Sequence, residues 1–499
     1  MSDIAKIILW LIIAILVILA SIIKLKLNPV IGLIFGSLIM GIGCNLGLVE
    51  TVSNIGTGFG NLLAGIGLPI GLGVILGKLL EESGGARIIA ETLVKKAGEK
   101  YALYALGFAA FLLAIPVFFD ITFIILVPLA IEVSKTLKKP LPYTIGAITI
   151  CAAGAHTLVP PTPNPLAAAS IFHFDLGIML GVGAAVCLFA CMGGMFIYFK
   201  MLDKGFWNKE ADETGLVDVA DQKPVPENAP SFALALLPLL LPVICILLST
   251  ISTALGVESK AISFISDKTI AMLLGTLAAY LVSRRALKGK MEEFANQAVA
   301  SSGIVLLITG AGGSFGAVIS ATGFADKLAE TFQSVGSSPI MIVLVAFGLA
   351  VVFRIALGSG TVASITTMNI MAGFAGLTSL HPVFIALACL AGGISIGHVN
   401  DSGFWVVTNM SGYTVKGGLK SYTIGGAFIA LFTIIVAAGL RVRPVGAGIT
   451  HYTFCRLQLA LLLILQRQCL PLADGLPDGI CHVLLAFMLK SFQDLFMIR

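Results

Sequence analysis

The sequence predicts an all-α polytopic membrane protein made of two inverted repeats, each of about five transmembrane helices, one of them broken, plus a re-entrant hairpin. Three observations lead there. Of 499 residues, 58% are hydrophobic and 11% charged, with a mean hydropathy of +1.02, whereas a soluble globule carries about 25% charged residues. The two halves repeat at an offset of 239 residues, the separation of Gly77 from Gly316. GKLLEESGGARIIAET (77–92), FAAFLLAIPVFFDITFI (108–124) and AGAHTLVPPTPNP (153–165) have counterparts in GAVISATGFADKLAET (316–331), FGLAVVFRIALGSGTVA (347–363) and GGISIGHVNDSGF (392–404). Gly84/Gly323, the Glu-Thr pairs at 91–92 and 330–331, and Gly154/Gly393 fall in register without a gap.

The third observation is where the basic residues lie. In the first half they cluster at Lys24 and Lys26, at 87–100 and at 135–139, while 49–58 and 171–176 carry none. In the second half the equivalents trade places: 284–290 (RRALKGK) and 414–420 (TVKGGLK) are basic, and 371–381 is bare. Because Lys and Arg stay on the cytoplasmic side, each repeat starts on the opposite face from the other and holds an odd number of crossings. The formal charge of +5 follows from this topology, so nucleic-acid binding is not implied.

Taken in order, 7–23 meets the roughly 20 apolar residues of a span. It has only Lys6 ahead of it and no small-residue cleavage site, so it reads as a retained span rather than a signal peptide. Spans at 29–48 and 59–80 follow, then an interfacial stretch at 83–98 and a hairpin over 101–134 with its tip at PVFFD (116–120). A broken span covers 141–172 and another span 176–199, closing the first repeat at 1–200. The hydrophilic 201–230, with seven Asp or Glu, is a cytoplasmic linker. The second repeat, 231–443, retraces the plan with spans at 232–255, 267–283 and 296–319. An interfacial stretch at 322–335, a hairpin at 338–374 with its tip at ALGSGT (356–361), a broken span at 380–412 and a last span at 422–440 complete it. The N-terminus is external. The tail 444–499 has no counterpart in the first repeat and reads as atypical, with a non-native coding origin favoured over an added membrane segment.

The interruptions carry the functional signal. Pro160, Pro161 and Pro163 cannot continue a helix, since proline lacks the backbone donor and clashes with the preceding turn. HVNDSGFW (398–405), with Gly403 among its breakers, does the same through short polar side chains that compete for backbone groups. Irregular backbone at membrane depth is tolerated only against protein or a water-filled cavity, and paired breaks in two repeats point to a transport site between them. Each break also leaves a half-helix N-terminus suited to an anion.

Few ionisable groups fall in apolar runs, where each costs about 2.5–3.5 kcal/mol on the insertion scale. Arg354 is a candidate to hold a carboxylate in its planar fork, against a structural pairing with Asp120 or Asp401. Asp401, Asp120 and His398 are candidates for proton coupling, against roles as helix caps or scaffold, and His156 flanks the first break. Thr162, Asn164, Ser359, Gly360, Thr361, Asn400 and Ser402 supply donors and acceptors that suit a polyhydroxylated anion. No Walker A, HExxH or CxxC pattern occurs, and TGAGGSFG (309–316) only loosely resembles a nucleophile elbow. An enzyme is therefore not expected, nor a metal or cofactor, and scattered cysteines in apolar runs read as packing.

Together PVFFDITF, VPPTPNP, TGAGGSFG, RIALGSGTVAS and GHVNDSGFW resemble the gluconate permease (GntP) family of the ion transporter superfamily, over roughly residues 5–440. The resemblance implies uptake of gluconate or a related sugar acid by proton symport across a bacterial inner membrane. Its partners would be the sugar-acid anion, protons and lipid, with homo-oligomerisation left open. One departure is Asn164, where the family pattern VPPTPGP has glycine, which bears on the choice of acid. The alternatives are a carrier of another small hydroxy acid such as D-serine, or a membrane sensor that binds without transport.

Overall fold

The computed structural model describes residues 3–214, 225–254, 259–324, 327, 339–378 and 380–439. The tail from 444 and most of the interfacial stretch expected at 322–335 lie outside the described residues, as does 215–224 of the linker. Every named element among those described is helical, and extended pairing is confined to one isolated bridge between Glu213 and Tyr413.

The first half opens with α1 (Asp3–Ile23) and α2 (Pro29–Gly43). Asn28 caps α2 by accepting from Val30 N–H at 3.0 Å, and Pro29 takes the first helical position, where its missing donor costs nothing. The long α3 (Leu48–Glu82) leads into α4 (Gly85–Ala114), which bends sharply at Gly98, φ 67°, ψ 174°. The expected boundary between interfacial stretch and hairpin falls at this bend. α5 (Phe119–Thr136) packs back on α4, and the chain between them, 115–118, is the turn foreseen at PVFFD. α6 (Leu141–Leu158) and α7 (Pro163–Ile171) form the first interrupted segment, and α8 (Leu176–Asp203), capped by Asp175, ends the half.

A short α9 (Lys209–Asp212) lies in the linker. The second half contains α10 (Phe232–Ala254), α11 (Lys260–Ser266), α12 (Lys268–Leu287) and α13 (Met291–Ala321). α14 (Pro339–Leu357) and α15 (Gly360–Met371) pack against each other around the tip at 358–359. A 3-10 turn (Ala372–Leu377) then leads to the second interrupted segment, α16 (Pro382–Ile394) and α17 (Ser402–Met410). α18 (Val415–Gly418), a π turn (Leu419–Thr423) and α19 (Ile424–Gly439) complete the described chain.

Among the described residues, eight helical segments are long and apolar enough to cross a membrane: α1, α3, α6 with α7, α8, α10, α12, α13, and α18 with α19. One expected span is shorter: the 15 residues of α2 reach about 22 Å at 1.5 Å per residue. The broken span expected at 380–412 is present as α16, a 13-residue apolar helix, and α17 beyond the break.

α3 and α13 lie side by side, and glycine allows it. A Cβ on Gly313 would sit 2.6 Å from the Gly58 carbonyl oxygen, and one on Gly58 would sit 2.5 Å from that of Gly313. Ser314 Oγ donates across the contact to Ile55 C=O at 2.8 Å. The glycine run at 309–316 is thus a close-packing face of the kind small residues provide between membrane helices. A smaller apolar cluster joins α1, α2, α13, α14 and α15 through Ile18, Leu33, Phe315 and Phe353, while the main core spans both halves.

Candidate functional site

Arg354 lies in the last turn of α14, where carbonyls without intrahelical partners accumulate. Its Nη1 donates to Gly358 C=O at 2.9 Å. The break at 395–401 covers the same helix end, because His398 Nε2 (3.1 Å) and Asn400 Nδ2 (2.8 Å) both donate to Ile355 C=O. Gly358 has φ +73°, and any side chain there would collide with the Asn400 carbonyl. The second hairpin and the second break therefore fold as one unit.

Arg354 Nη2 donates to Asp401 Oδ2 in an ion pair, the two side chains being 4% and 9% exposed. Nη2 also reaches Tyr422 Oη at 3.2 Å, and Tyr422 O–H donates to the same Asp401 oxygen at 2.6 Å. Asp401 Oδ1 accepts Gly403 N–H at 2.9 Å, so Asp401 is both the cap of α17 and the counter-ion of Arg354. Gly397 is forced by this cluster, since a Cβ there would strike the guanidinium. Arg354 Nε is buried with no hydrogen-bond partner. A buried donor left unmade costs about 1–3 kcal/mol, so the guanidinium retains donor capacity, at Nε above all, for another acceptor.

Asp120, in the first turn of α5, arrives from the other half. Its Oδ1 lies 3.3 Å from the position a Cβ on Gly403 would take, beside the Tyr422 hydroxyl at 2.9 Å. Neighbouring Phe119 packs on the Tyr422 ring, with centroids 5.7 Å apart. Asp120, Asp401, Arg354 and Tyr422 thus converge, and His398 and Asn400 line the adjoining helix end. Ser359 caps α15, accepting from Val362 N–H at 3.4 Å, with Gly360 and Thr361 in its first turn. Ser402 and Asn400 are exposed, whereas Ser359, Gly360 and Thr361 are partly so.

The first break is drier. Pro160 and Pro161 lie in the interruption, but Pro163 is the opening residue of α7, the position where proline is tolerated. Gly403 likewise sits inside a helix, second in α17, where the Asp401 cap receives its N–H. Thr162 Oγ1 donates to Val159 C=O at 2.8 Å, and Asn164 Oδ1 is buried without a partner. His156 packs edge-on against Phe118 at 5.5 Å, its Nδ1 also unpartnered. Among the described residues no hydrogen bond joins Thr162 or Asn164 to the Arg354 cluster. The connection is through packing: α15 lies on α7, as α5 lies on α17. Each hairpin therefore touches the half-helix that follows the break of the opposite half.

Tyr422 is the residue that sequence reasoning passes over. A tyrosine opening an apolar run beside basic residues reads as an interface anchor, and the π turn that swings it inward has no composition signal. The described residues contain no cluster of His, Cys, Asp or Glu able to hold a metal ion.

Comparison with known proteins agrees with this architecture. Residues 6–442 match the profile of the GntP family permeases. The chain is 31% identical over 430 residues to the inner membrane permease YgbN of Escherichia coli K12, covering 82% of this chain and 93% of that protein. It is 30% identical over 440 residues to a gluconate permease of Bacillus licheniformis, covering 86% and 96%. Among solved structures, MtrF of Neisseria gonorrhoeae superposes with a TM-score of 0.57 at 16% identity, over 79% of this chain and 84% of that one. YdaH of Alcanivorax borkumensis gives 0.54 at 14% identity, over 79% and 89%. At such identities the two structures speak for the fold alone.

Proposed function

The chain belongs to the GntP family of permeases, and from that premise we propose that it is a secondary transporter of a bacterial inner membrane, importing gluconate or a related sugar acid with a proton. The observation that carries this reading is the buried Arg354–Asp401–Tyr422 cluster between a hairpin tip and a helix break. A gluconate permease at 30% identity over 86% of the chain supports the cargo.

The chemistry of the cluster supplies a coupling rule. While Asp401 is ionised it occupies the guanidinium of Arg354. Protonation of Asp401 removes the competing charge and frees the planar fork for the carboxylate of the cargo. Proton and anion then bind with positive linkage, as symport requires. Asp120, beside Gly403 and near Asp401, would exchange that proton, with His398 at the adjoining rim. Ser359, Gly360, Thr361, Asn400 and Ser402 would meet cargo hydroxyls on one side, and Thr162 and the unpartnered Asn164 on the other. The two interrupted segments, read with the basic loops, support two inverted repeats whose crossed contacts enclose the site.

Counterflow into proteoliposomes tests the reading. Vesicles preloaded with unlabelled gluconate should draw in labelled gluconate, and an inward proton gradient should concentrate it. Counterflow of D-serine but not gluconate would move the cargo to another hydroxy acid. Binding without counterflow of any acid would replace the carrier by a sensor.

A further inference from the structure

Tyr422 owes its position to an irregular stretch of chain. Leu419–Thr423 form a π turn between α18 and α19, and single π turns inside helices cluster at functional sites. Thr423 Oγ1 donates to the Gly397 carbonyl in the second break, and Tyr422 contacts Asp401 and Arg354. Lys420, two residues earlier, points away from the site.

Lys420 Nζ donates to Asp212 Oδ2 and to Phe206 C=O, each at 2.6 Å, and lies 5.0 Å over the Phe206 ring. Asp212 is fully buried at the end of α9. Its segment is bound to the chain after α17 along its length: Thr414 N–H donates to Asp212 C=O at 2.9 Å, Thr414 Oγ1 to Ala211 C=O at 2.9 Å, and Thr214 N–H to Gly412 C=O at 2.8 Å. The Trp207 and Tyr413 rings lie 4.7 Å apart. A Cβ on Gly417 would collide with the Asp212 carbonyl, so the two segments meet backbone to backbone. The linker between the halves is thus clasped to the root of the π turn.

A buried ion pair is weak evidence for stability as such, since desolvation offsets most of its attraction; fixing a single geometry is its better-attested use. The geometry fixed here is the direction of Tyr422, whose hydrogen bonds weaken steeply with misalignment. We propose that Lys420 is a positioning residue for the carrier site: held by Asp212, it sets the π turn that aims Tyr422 at Asp401 and Arg354, so that the linker between the halves governs cargo affinity. This rests on the reading that the Arg354 cluster receives the cargo.

Apparent KM and Vmax for gluconate uptake in proteoliposomes decide it. Removing Lys420 alone strands a buried carboxylate, so both charges are removed together in Asp212→Asn/Lys420→Gln. That variant should raise KM about tenfold, the scale of one network coupling, with Vmax per carrier held within about twofold, while Lys420→Arg keeps the wild-type KM. Added to Tyr422→Phe, it should raise KM by less than about twofold more, because both changes break the same link. An unchanged KM with a lower Vmax, or a full additional factor on top of Tyr422→Phe, overturns the proposal. If the double variant does not assemble, Asp212→Glu, which lengthens the arm against Lys420, must move KM, and an unmoved value counts against the proposal. If Arg354→Lys and Tyr422→Phe both leave KM at the wild-type value, the carrier site itself is misplaced and the proposal falls with it. If they raise KM and the linker variants do not, only the positioning role fails.

Discussion

Arg354 brings together three properties that sequence and structure each show in part: a permanent charge, near-complete burial and a planar fork whose Nε is unpartnered. Arg354→Lys keeps the charge but cannot bridge Asp401, Tyr422 and Gly358 at once. Its apparent KM for gluconate should rise about 10- to 100-fold, the equivalent of losing a charge-assisted bond of about 1.5–3 kcal/mol, with membrane insertion intact. Uptake assays beside a fluorescence-monitored size-exclusion profile check both halves of that statement. At Asp401 the outcome should divide by assay. Asp401→Asn should abolish accumulation driven by an imposed pH gradient while leaving equal-concentration exchange partly active; retained accumulation would shift coupling to Asp120 or His398. These charged residues were legible in the sequence because an ionisable group in an apolar run is costly and therefore conspicuous. Tyr422 was not, since its half-apolar ring is at home at any membrane interface. Nor was the pairing of Arg354 with Asp401 over Asp120, which depends on how the break at 395–401 wraps the end of α14.

At the level of the element, interruption proves to be a form of capping. The end of α14 presents the Ile355 carbonyl, which the second break satisfies through both His398 and Asn400, and the break opens a new helix under the Asp401 cap. The prolines announced where α6 stops, whereas α16 already ends at Ile394 and the Asn-Asp-Ser-Gly run lies where α17 begins. Neither announced which residues restart the helix, so Pro163 and Gly403 stand inside α7 and α17. The glycine run at 309–316 was visible as composition, but its partner at Gly58 was not, because a helix–helix contact is a relation between distant segments. Gly313→Leu should separate α3 from α13 and lower stability in detergent by about 1–3 kcal/mol or more, as overpacking does. A melting curve compared with Gly303→Leu, where no neighbouring atom lies within 4 Å, isolates that contact from a general effect of leucine.

For the whole molecule, the repeat and the basic loops forecast the order of hairpins and breaks in the described chain, while the span length was overestimated at α2. Sidedness is the quantity the basic loops predict directly. In a background without native cysteines, Lys204→Cys should react with a membrane-impermeant maleimide only after lysis, and Val49→Cys in intact spheroplasts; labelling of both from one side would remove the inverted arrangement. The crossed packing, α5 on α17 and α15 on α7, has a consequence for inheritance and engineering. On the proposed reading the two halves share the site, because Asp120 of the first meets the Arg354 cluster of the second, so preference for one acid over another should not be a portable module. A chimera joining residues 1–214 of this chain to the second half of a relative with a different cargo should display neither parent's selectivity, and compensating changes selected in such a chimera should arise in the half that was not exchanged.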